Sequence, residues 1–376
     1  MNILITGGLG FIGTNLALSL NNTNRHKIRI FDNLSPQIHG VIPAVDARIL
    51  NMNNVEIVRG DVCDRAALNA ALSGIEAVVH LAAETGTAQS MYQIAHYNNV
   101  NSQATAQLLD LLANAAHSVK KIVLASSRSI YGEGAYNCEI HGLVYPEARS
   151  AAQLKNHQWN PVCPQCSASI VSVPTPEVAR PSPASIYAAT KYAQEDLIRI
   201  AGDSLGIGTA ILRFQNVYGA GQSLNNPYTG ILSIFSTRIR RGMSLPIFED
   251  GQESRDFVHV SDVVAAIELA LQTEAANGGT FNVGAGEPTS VLEIANMLVD
   301  AFGGKVRPEV TGQYRLGDIR HCYADLTQIR STLKFEPKMT LKKGIEEFAS
   351  WVLSQPLPED GLDKANEELK KRKMMS

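Results

Sequence analysis

The sequence predicts an α/β protein built on a doubly wound parallel sheet, with a smaller, interleaved C-terminal domain and a cysteine-bearing insert. Three observations carry this expectation. Short runs of branched apolar residues alternate with segments of about a dozen residues at helical spacing, the pattern of a parallel sheet with crossover helices. A glycine-rich turn joins the first such run to the first such helix. A proline-rich stretch holding two cysteine pairs or near-pairs then interrupts the alternation between the fifth strand and a long helix.

Composition narrows the class. A chain of 376 residues suits one large α/β unit or two domains sharing an interface. With 45% hydrophobic and 18% charged residues it has the make-up of a compact enzyme rather than a disordered chain. A formal charge of -3 leaves no basic footprint, so neither nucleic acid nor an anionic membrane is an expected partner. No apolar run approaches the roughly 20 residues that span a bilayer. The start, "MNILITGGLGFIG", lacks a basic region and is broken by glycines, so it reads as buried strand and turn rather than a signal peptide. Five cysteines at uneven spacing fit a reducing compartment better than a disulfide framework, and a cytoplasmic protein is expected. There is no internal repeat.

In chain order, "NILIT" is the first strand, "GGLGFIG" the turn and "TNLALSLNN" the first helix. Gly7 allows an unusual turn, Gly10 lets backbone approach a pyrophosphate without a Cβ in the way, and Gly13 permits close helix-to-strand packing. The helix start, with Phe11 and Ile12, offers free N–H groups to phosphate. A glycine triplet also arises by chance. The second strand, "KIRIFDN", ends in Asp32, nineteen positions beyond Gly13, where a carboxylate can accept both ribose hydroxyls. It would repel a 2′-phosphate, and no arginine follows it directly, so NAD is preferred to NADP, with Asn33 beside it on the same surface. "VEIVRGDV" brings Asp61 and Val62 to the adenine, although Asp61 is also placed to cap the next helix. "EAVVHLAAETG" brings Leu81 and the small Ala82 and Ala83 past the cofactor.

The fifth strand, "KIVLASSRSIYGEG", ends in Ser126 and Ser127. Sixty positions beyond Ser127 comes "SIYAATKYAQEDLI", with Tyr187 and Lys191 four apart. Residues i and i+4 share a helix face, so phenol and ammonium can enter one cleft, and a nearby ammonium favours the phenolate. Tyr-x-x-x-Lys alone is a common chance pattern.

Taken in order, "TGGLGFIG", Asp32, "GDV", "HLAAE", "SSRSIYG", "YAATK" and "RFQNVYG" resemble the extended short-chain dehydrogenase/reductase family, in its nucleotide-sugar epimerase and dehydratase branch. The likeness runs from residue 1 to about 350. It implies a Rossmann fold, Tyr187 as acid/base, Lys191 on the nicotinamide ribose and lowering the Tyr187 pKa, and Ser127 on the reacting oxygen. It also implies Asn99 near the cofactor and Phe214 against the nicotinamide. Residues 1–137 and 180–215 would bind NAD, 216–355 would mainly bind the nucleotide sugar with interleaving around 255–285, 138–179 would be the insert, and 356–376 a charged tail. For the sugar nucleotide it implies Asn216, with Arg255 and Arg315 on its phosphates. Arg320 lies in the same loops, and guanidinium forks suit a diphosphate. The alternative is that these are surface arginines paired with Asp256 or Asp318.

Dehydratases of this branch carry an Asp-Glu pair after the residue matching Ser127; here Arg128 and Ser129 stand there. Without those proton carriers water elimination is disfavoured. The expected chemistry is epimerisation at C4: transient oxidation to a 4-keto sugar, then re-reduction on the opposite face, with NAD retained. One-way oxidation, decarboxylation and C2 epimerisation are alternatives. A non-catalytic NAD-bound interaction protein is another, against which Ser127, Tyr187 and Lys191 speak.

Within the insert, Cys138 and His141 precede Cys163 and Cys166 of "NPVCPQCSA". Three thiolates and an imidazole at two-plus-two spacing match a closed, structural tetrahedral zinc site. The segment is too poor in apolar runs to build its own core and would gain from a crosslink. A redox pair, inert thiols and a vestigial site compete with this reading. Cys63 and Cys322 stand alone and are expected to pack. The insert, with "AAETGTAQSMYQIAHYNNVN" and "SSRSIYGEG", resembles the dTDP-L-rhamnose 4-epimerase group, which implies a sugar loop from Thr85 to Tyr92 including Gln89, with the insert shaping sugar entry. In the family, helices such as "NVNSQATAQLLDLLANAA" pair across a two-fold axis, so a homodimer is expected. The tail "DKANEELKKRKMMS" reads as a solvated helix or disordered end.

Overall fold

Along the first strand, β1 (Asn2–Thr6), Ile3 and Ile5 face one side of a sheet and Leu4 the other, because successive side chains of a strand alternate. Both sides are buried, which requires helices on both faces. The structure is a computed structural model and describes residues 1–22, 25–40, 43, 45–224, 226 and 230–375. The remaining central strands are β2 (Lys27–Asp32), β3 (Val55–Arg59), β4 (Ala77–His80), β5 (Lys121–Ser127), β6 (Gly208–Phe214) and β7 (Gly279–Val283). They lie in the order 3-2-1-4-5-6-7, all pairs parallel. The doubly wound sheet expected from the sequence is present. The strand order reverses between β1 and β4, which opens a crevice at the carboxyl ends of these strands.

One face packs the helices Phe11–Asn21 and Val260–Gln272 over Ile3, Ile5, Val79 and Leu212. The other packs Ala104–Asn114 and Ile186–Leu205 over Leu4, Val78, Ile122 and Ile211. After β6 the chain leaves for a small second sheet, in which Asn216–Tyr218, Ser254–His259, Pro288–Ser290 and His321–Cys322 pair. It returns to the central sheet for β7 between them, so the smaller lobe is interleaved with the larger. The smaller lobe has its own core, including Tyr218, Phe257, Ile294, Leu298 and Phe348. Among the described residues no helix is long and apolar enough to cross a membrane.

Between β5 and the helix Ile186–Leu205, the strands Tyr136–Cys138, Gly142–Val144 and Val171–Ser172 form a three-stranded antiparallel sheet. Contrary to the expectation of a segment with no core, Tyr136, Cys138, Val144 and Cys163 bury one another. A buried ion network fastens this unit to the smaller lobe. Arg149 binds Glu133 at 3.1 Å and Glu249 at 2.8 Å, and Arg320 binds Glu249 at 3.0 Å and Asp250 at 2.7 Å.

The tail differs from its expectation too. Leu362–Lys371 is a helix with Leu362, Ala365 and Leu369 buried. Beyond it, Arg372 stacks over the Tyr92 ring at 4.1 Å and the Met374 carbonyl accepts from Leu316 N–H at 3.0 Å. Charged residues at three-to-four spacing had concealed this apolar stripe.

Candidate active site

The turn after β1 is shaped so that side chains do not fit. A Cβ on Gly7, at φ +66°, would meet Ala82 backbone at 2.8 Å, and one on Gly13 would meet Gly8 Cα at 2.5 Å. The helix that follows has Gly10 as N-cap, no side-chain cap and no acidic residue in its first turn. Its leading N–H groups therefore remain available to an anion. Gly7, Gly10, Phe11, Ile12 and Gly13 all line the cleft.

At the far end of β2, Asp32 accepts from Leu9 N–H at 3.0 Å and Leu34 N–H at 2.8 Å, and lies 3.7 Å from His39 Nε2. Asp32, Asn33, Val62, Leu81, Ala82, Ala83 and Phe214 line the same cleft. This surface fits a dinucleotide: a backbone cradle without Cβ atoms, uncapped helix N–H groups, and a carboxylate at the next strand's end. Asp61 accepts from Asn33 Nδ2 at 3.0 Å and from Cys63 N–H at 2.8 Å. It does not cap the following helix; Asp64 does.

Ser127, the last residue of β5, and Tyr187 and Lys191, on the first turns of Ile186–Leu205, meet across the cleft. Ser185 caps that helix by accepting from Ala188 N–H, and Tyr187 N–H donates to Ser90 Oγ at 3.0 Å. Lys191 Nζ donates to the Ala125 carbonyl at 2.9 Å. Burial pushes the Tyr187 phenol above its ordinary pKa, opposed by a hydrogen bond with Ser127 and the Arg128 charge. Burial pushes the Lys191 ammonium down to about 7, with Glu195 opposing. The groups that oppose burial at Tyr187 are Ser127 and Arg128; the expected depression by Lys191 is not among them.

Several expected site residues lie elsewhere. Asn99 donates from Nδ2 to Cys63 Sγ at 3.4 Å and is not among the residues lining the cleft. Asn101, two positions on, is fully buried behind the cleft, where it accepts from Glu84 N–H at 2.8 Å and donates to Thr190 Oγ1 at 3.0 Å. Gln89 is buried against Gln37, with its Oε1 also accepting from Tyr97 at 3.1 Å, whereas Thr85 does line the cleft. Arg320 is consumed by Glu249, Asp250 and Asn160, so its fork is not free for a diphosphate. Arg315 stacks over Phe248 at 4.7 Å and donates to Asn366 Oδ1 at 2.7 Å. Arg255 donates to the carbonyls of Ser254, Ile319 and Arg320, without the proposed partner Asp256, whose carboxylate accepts from Ala285, Gly286 and Ala324 N–H groups.

The structure adds residues that sequence reasoning missed. Arg128 lines the cleft, donates to Asn216 Oδ1 at 2.9 Å, and is pushed down to about 10 by burial and the Arg255 charge. A buried guanidinium lining the cleft favours an anion beside it. Gln215 lines the cleft with both amide atoms buried and unpaired, and the Ser129 hydroxyl is likewise unpaired. Below the site, Arg213 is held by Glu195 at 2.7 Å and by Tyr131 Oη at 2.8 Å, and Ser126 also binds Glu195. The motif "RFQNVYG" contained Arg213, Gln215 and Asn216, but nothing in it separated support from site.

In the insert, Cys138, His141, Cys163 and Cys166 converge, with their ligand atoms all within 4.8 Å of one another. None of the cysteines is in a disulfide. No residue between 130 and 186 is among those lining the cleft described above.

The model of the NAD dependent epimerase/dehydratase family matches residues 3–148 and 165–284. The match skips 149–164, within the insert. A dTDP-L-rhamnose 4-epimerase from Burkholderia thailandensis is 38% identical over 356 residues, 94% of this chain and 95% of the relative. Among solved structures, UDP-glucose 4-epimerase of Thermotoga maritima with UDP-glucose superposes with a TM-score of 0.75 at 28% identity, covering 94% of this chain and 99% of that one. MoeE5 in complex with UDP-glucuronic acid and NAD superposes with a TM-score of 0.73 at 27% identity, covering the same shares of 94% and 99%.

Proposed function

The chain belongs to the NAD dependent epimerase/dehydratase family, and from that premise we propose that it is an NAD-dependent nucleotide-sugar 4-epimerase converting dTDP-L-rhamnose to dTDP-6-deoxy-L-talose. The observation that carries the reading is the meeting of Ser127, Tyr187 and Lys191 in one cleft with the glycine turn, where Arg128 and Ser129 replace the carboxylates a dehydratase needs. The 38% identity to a dTDP-L-rhamnose 4-epimerase over nearly the whole length supports the choice of sugar. A UDP-sugar is the second reading, favoured by the likeness to a UDP-glucose 4-epimerase bound to UDP-glucose.

NAD would be held by Gly7 to Gly13, Asp32, Asn33 and Lys191, and when bound supplies the acceptor and donor of hydride at the sugar carbon. Tyr187 takes the O4 proton as the alcohol becomes a ketone and returns it when the other face is reduced. Taking that proton requires the phenolate, which burial disfavours and the Ser127 hydrogen bond and Arg128 charge favour; the proton gained in the oxidation is the one returned in the reduction. Ser127 holds the reacting oxygen. Gln215, Ser129 and Arg128 offer hydrogen bonds to sugar and diphosphate. The ketone is reduced within the same cleft, so the products carry no net oxidation.

We also assign a structural zinc ion to Cys138, His141, Cys163 and Cys166; four protein ligands leave it no open position, so it takes no part in the reaction. The homodimer expected from the sequence would pair the outer faces of Ala104–Asn114 and Ile186–Leu205, where Ile200 is 59% exposed; light scattering in solution tests it. A cytoplasmic location belongs to the same reading.

The decisive experiment incubates the purified protein with dTDP-L-rhamnose, UDP-glucose and UDP-glucuronic acid without added NAD and follows sugar configuration by NMR. Inversion at C4 of dTDP-L-rhamnose is expected. Accumulation of NADH, release of carbon dioxide, or inversion only of a UDP-sugar would each replace the reading by the corresponding alternative.

A further inference from the structure

The four-ligand cluster in the insert has the dimensions of a filled zinc site. Tetrahedral zinc with bonds of about 2.3 Å to sulfur and about 2.0–2.1 Å to nitrogen sets ligand-to-ligand edges of about 3.8 Å for two sulfurs and about 3.6 Å for sulfur and nitrogen. Cys138 Sγ lies 3.8 Å from Cys166 Sγ, and His141 Nδ1 lies 3.6 Å from Cys138 Sγ and 3.5 Å from Cys163 Sγ. A disulfide needs sulfurs about 2.05 Å apart, so this is the geometry of ligands and not of a bond between them.

Two tight turns present the pairs. Cys138 faces Gly142 across a hairpin, which brings His141 back over its thiol. Cys163 opens the second turn, where its N–H donates to Ala168 O and its carbonyl accepts from Ser167 N–H. The insert's hydrophobic core is little more than Tyr136, Val144 and these two buried cysteines. A unit that small gains its stability from a crosslink.

What the crosslink holds is legible in the hydrogen bonds just upstream of Cys163. Asn160 Oδ1 accepts from Arg320 Nε at 2.9 Å, and the Trp159 carbonyl accepts from Arg149 at 2.9 Å. Arg149 also donates to the Asp318 carbonyl at 2.7 Å, and Glu133, at the insert's other end, accepts from Arg320 N–H at 2.6 Å. The segment from Asp318 to Arg320 is therefore gripped from the insert side. On its other side the carbonyls of Ile319 and Arg320 receive the Arg255 guanidinium, at 2.7 and 3.1 Å, and the strand bearing Arg255 pairs at Phe257 with Asn216, whose Oδ1 accepts from Arg128 in the cleft at 2.9 Å.

We infer that the zinc-bound insert is a brace for the sugar-nucleotide end of the cleft: it fixes the 318–320 segment and through it the strand of Arg255, and with that strand the placing of Asn216 and Arg128. Arg149, Arg320 and the zinc ligands are positioning residues in this arrangement. The inference rests on the assignment of zinc and of a nucleotide-sugar substrate made above, and it adds a route by which a metal remote from the reacting atoms governs substrate affinity.

The test compares the wild-type chain with Cys166→Ala and Cys166→His, because Cys166 is the exposed cysteine of the set and a histidine restores a zinc-binding set. Metal analysis of protein produced with zinc in the medium should give about one zinc per wild-type and Cys166→His chain and a large loss in Cys166→Ala. The Michaelis constant for the nucleotide sugar should rise about tenfold or more in Cys166→Ala, with retained NAD and kcat nearly unchanged, and return in Cys166→His. In a Trp351→Phe background Trp159 is the sole indole of the two in the chain, and its emission should shift on zinc loss. Wild-type protein without zinc overturns the metal assignment. Zinc bound, with KM and Trp159 emission indifferent to its loss, overturns the brace. If no nucleotide sugar is turned over, dTDP binding replaces KM, and affinity indifferent to zinc again sinks the inference, while the epimerase reading fails separately.

Discussion

Lys191 donates a 2.9 Å hydrogen bond to the Ala125 carbonyl, which pins the helix bearing Tyr187 to the strand bearing Ser127. Phenol and hydroxyl are therefore placed by a single lysine that is itself only 3% exposed. Replacing Tyr187 by phenylalanine removes the proton carrier together with its hydrogen bond to Ser127, so kcat should fall by ~10²–10⁴ while NAD extracted from the purified protein stays at wild-type level. Lys191→Met should lower both turnover and NAD content. A Tyr187→Phe enzyme at full speed, or a Lys191→Met protein with its full complement of NAD, contradicts these roles.

Gln215 presents the opposite situation, a polar group with no partner among the described residues. Its amide is buried with both polar atoms unpaired and faces the cleft. An unpaired buried amide costs about 1–3 kcal/mol, so Gln215→Leu should leave thermal stability unchanged or raised. If the amide serves the sugar nucleotide, the same change should raise KM about tenfold, since ~1.4 kcal/mol is a factor of ten. A lower Tm with unaltered KM would mark Gln215 as structural.

The residues that were legible in the sequence are those whose role is set by local spacing. The glycine turn, Asp32 at a strand end, and Tyr187 and Lys191 one helical turn apart need only the periods of strand and helix, and all reach one cleft. What was not legible depends on distant partners. Nothing near Arg320 in the chain indicates that Glu249, 71 positions away, will take its fork. Gln89 is likewise claimed by Gln37, 52 positions back. Asn99 lies in Asn98–Gln103, which runs as a π-helix, so the face it presents does not follow from the ordinary helical period. The insert's four ligands were readable as a set from spacing, but their hold on the smaller lobe was not.

Beneath the site, Arg213 and Glu195 form an almost fully buried pair at 2.7 Å, with side chains 7% and 5% exposed. Removing one partner of such a pair strands the other charge and costs about 3–5 kcal/mol, whereas replacing both with apolar groups costs far less. Arg213→Met should therefore lower Tm sharply, and Arg213→Met with Glu195→Met should recover much of the loss. The exposed pair Arg330 and Glu336 is the control; its removal should change stability by less than about 1 kcal/mol. Calorimetry of the four proteins decides. Equal losses from the single and double variants would show that packing, rather than the stranded charge, dominates.

The smaller lobe carries a titratable group whose pH signature has a definite sign. Glu253 is 7% exposed, its Oε2 has no hydrogen-bond partner among the described residues, and burial pushes its pKa from 4.5 up to about 7. Between those values the folded chain holds a proton that the unfolded chain has released. The stabilising contribution is therefore complete below about 4.5 and is lost as pH rises through about 7, where the buried carboxylate must ionise. Glu253→Gln keeps the shape and cannot ionise. At pH 5 the variant should melt close to wild type, and by pH 8 it should be the more stable, on the order of 3 kcal/mol for a shift of this size. The difference in Tm between the two proteins, followed from pH 5 to pH 8, should thus widen with rising pH. A constant difference would mean that Glu253 finds a compensating charge on ionisation, with Arg255 and Arg320 the nearest candidates.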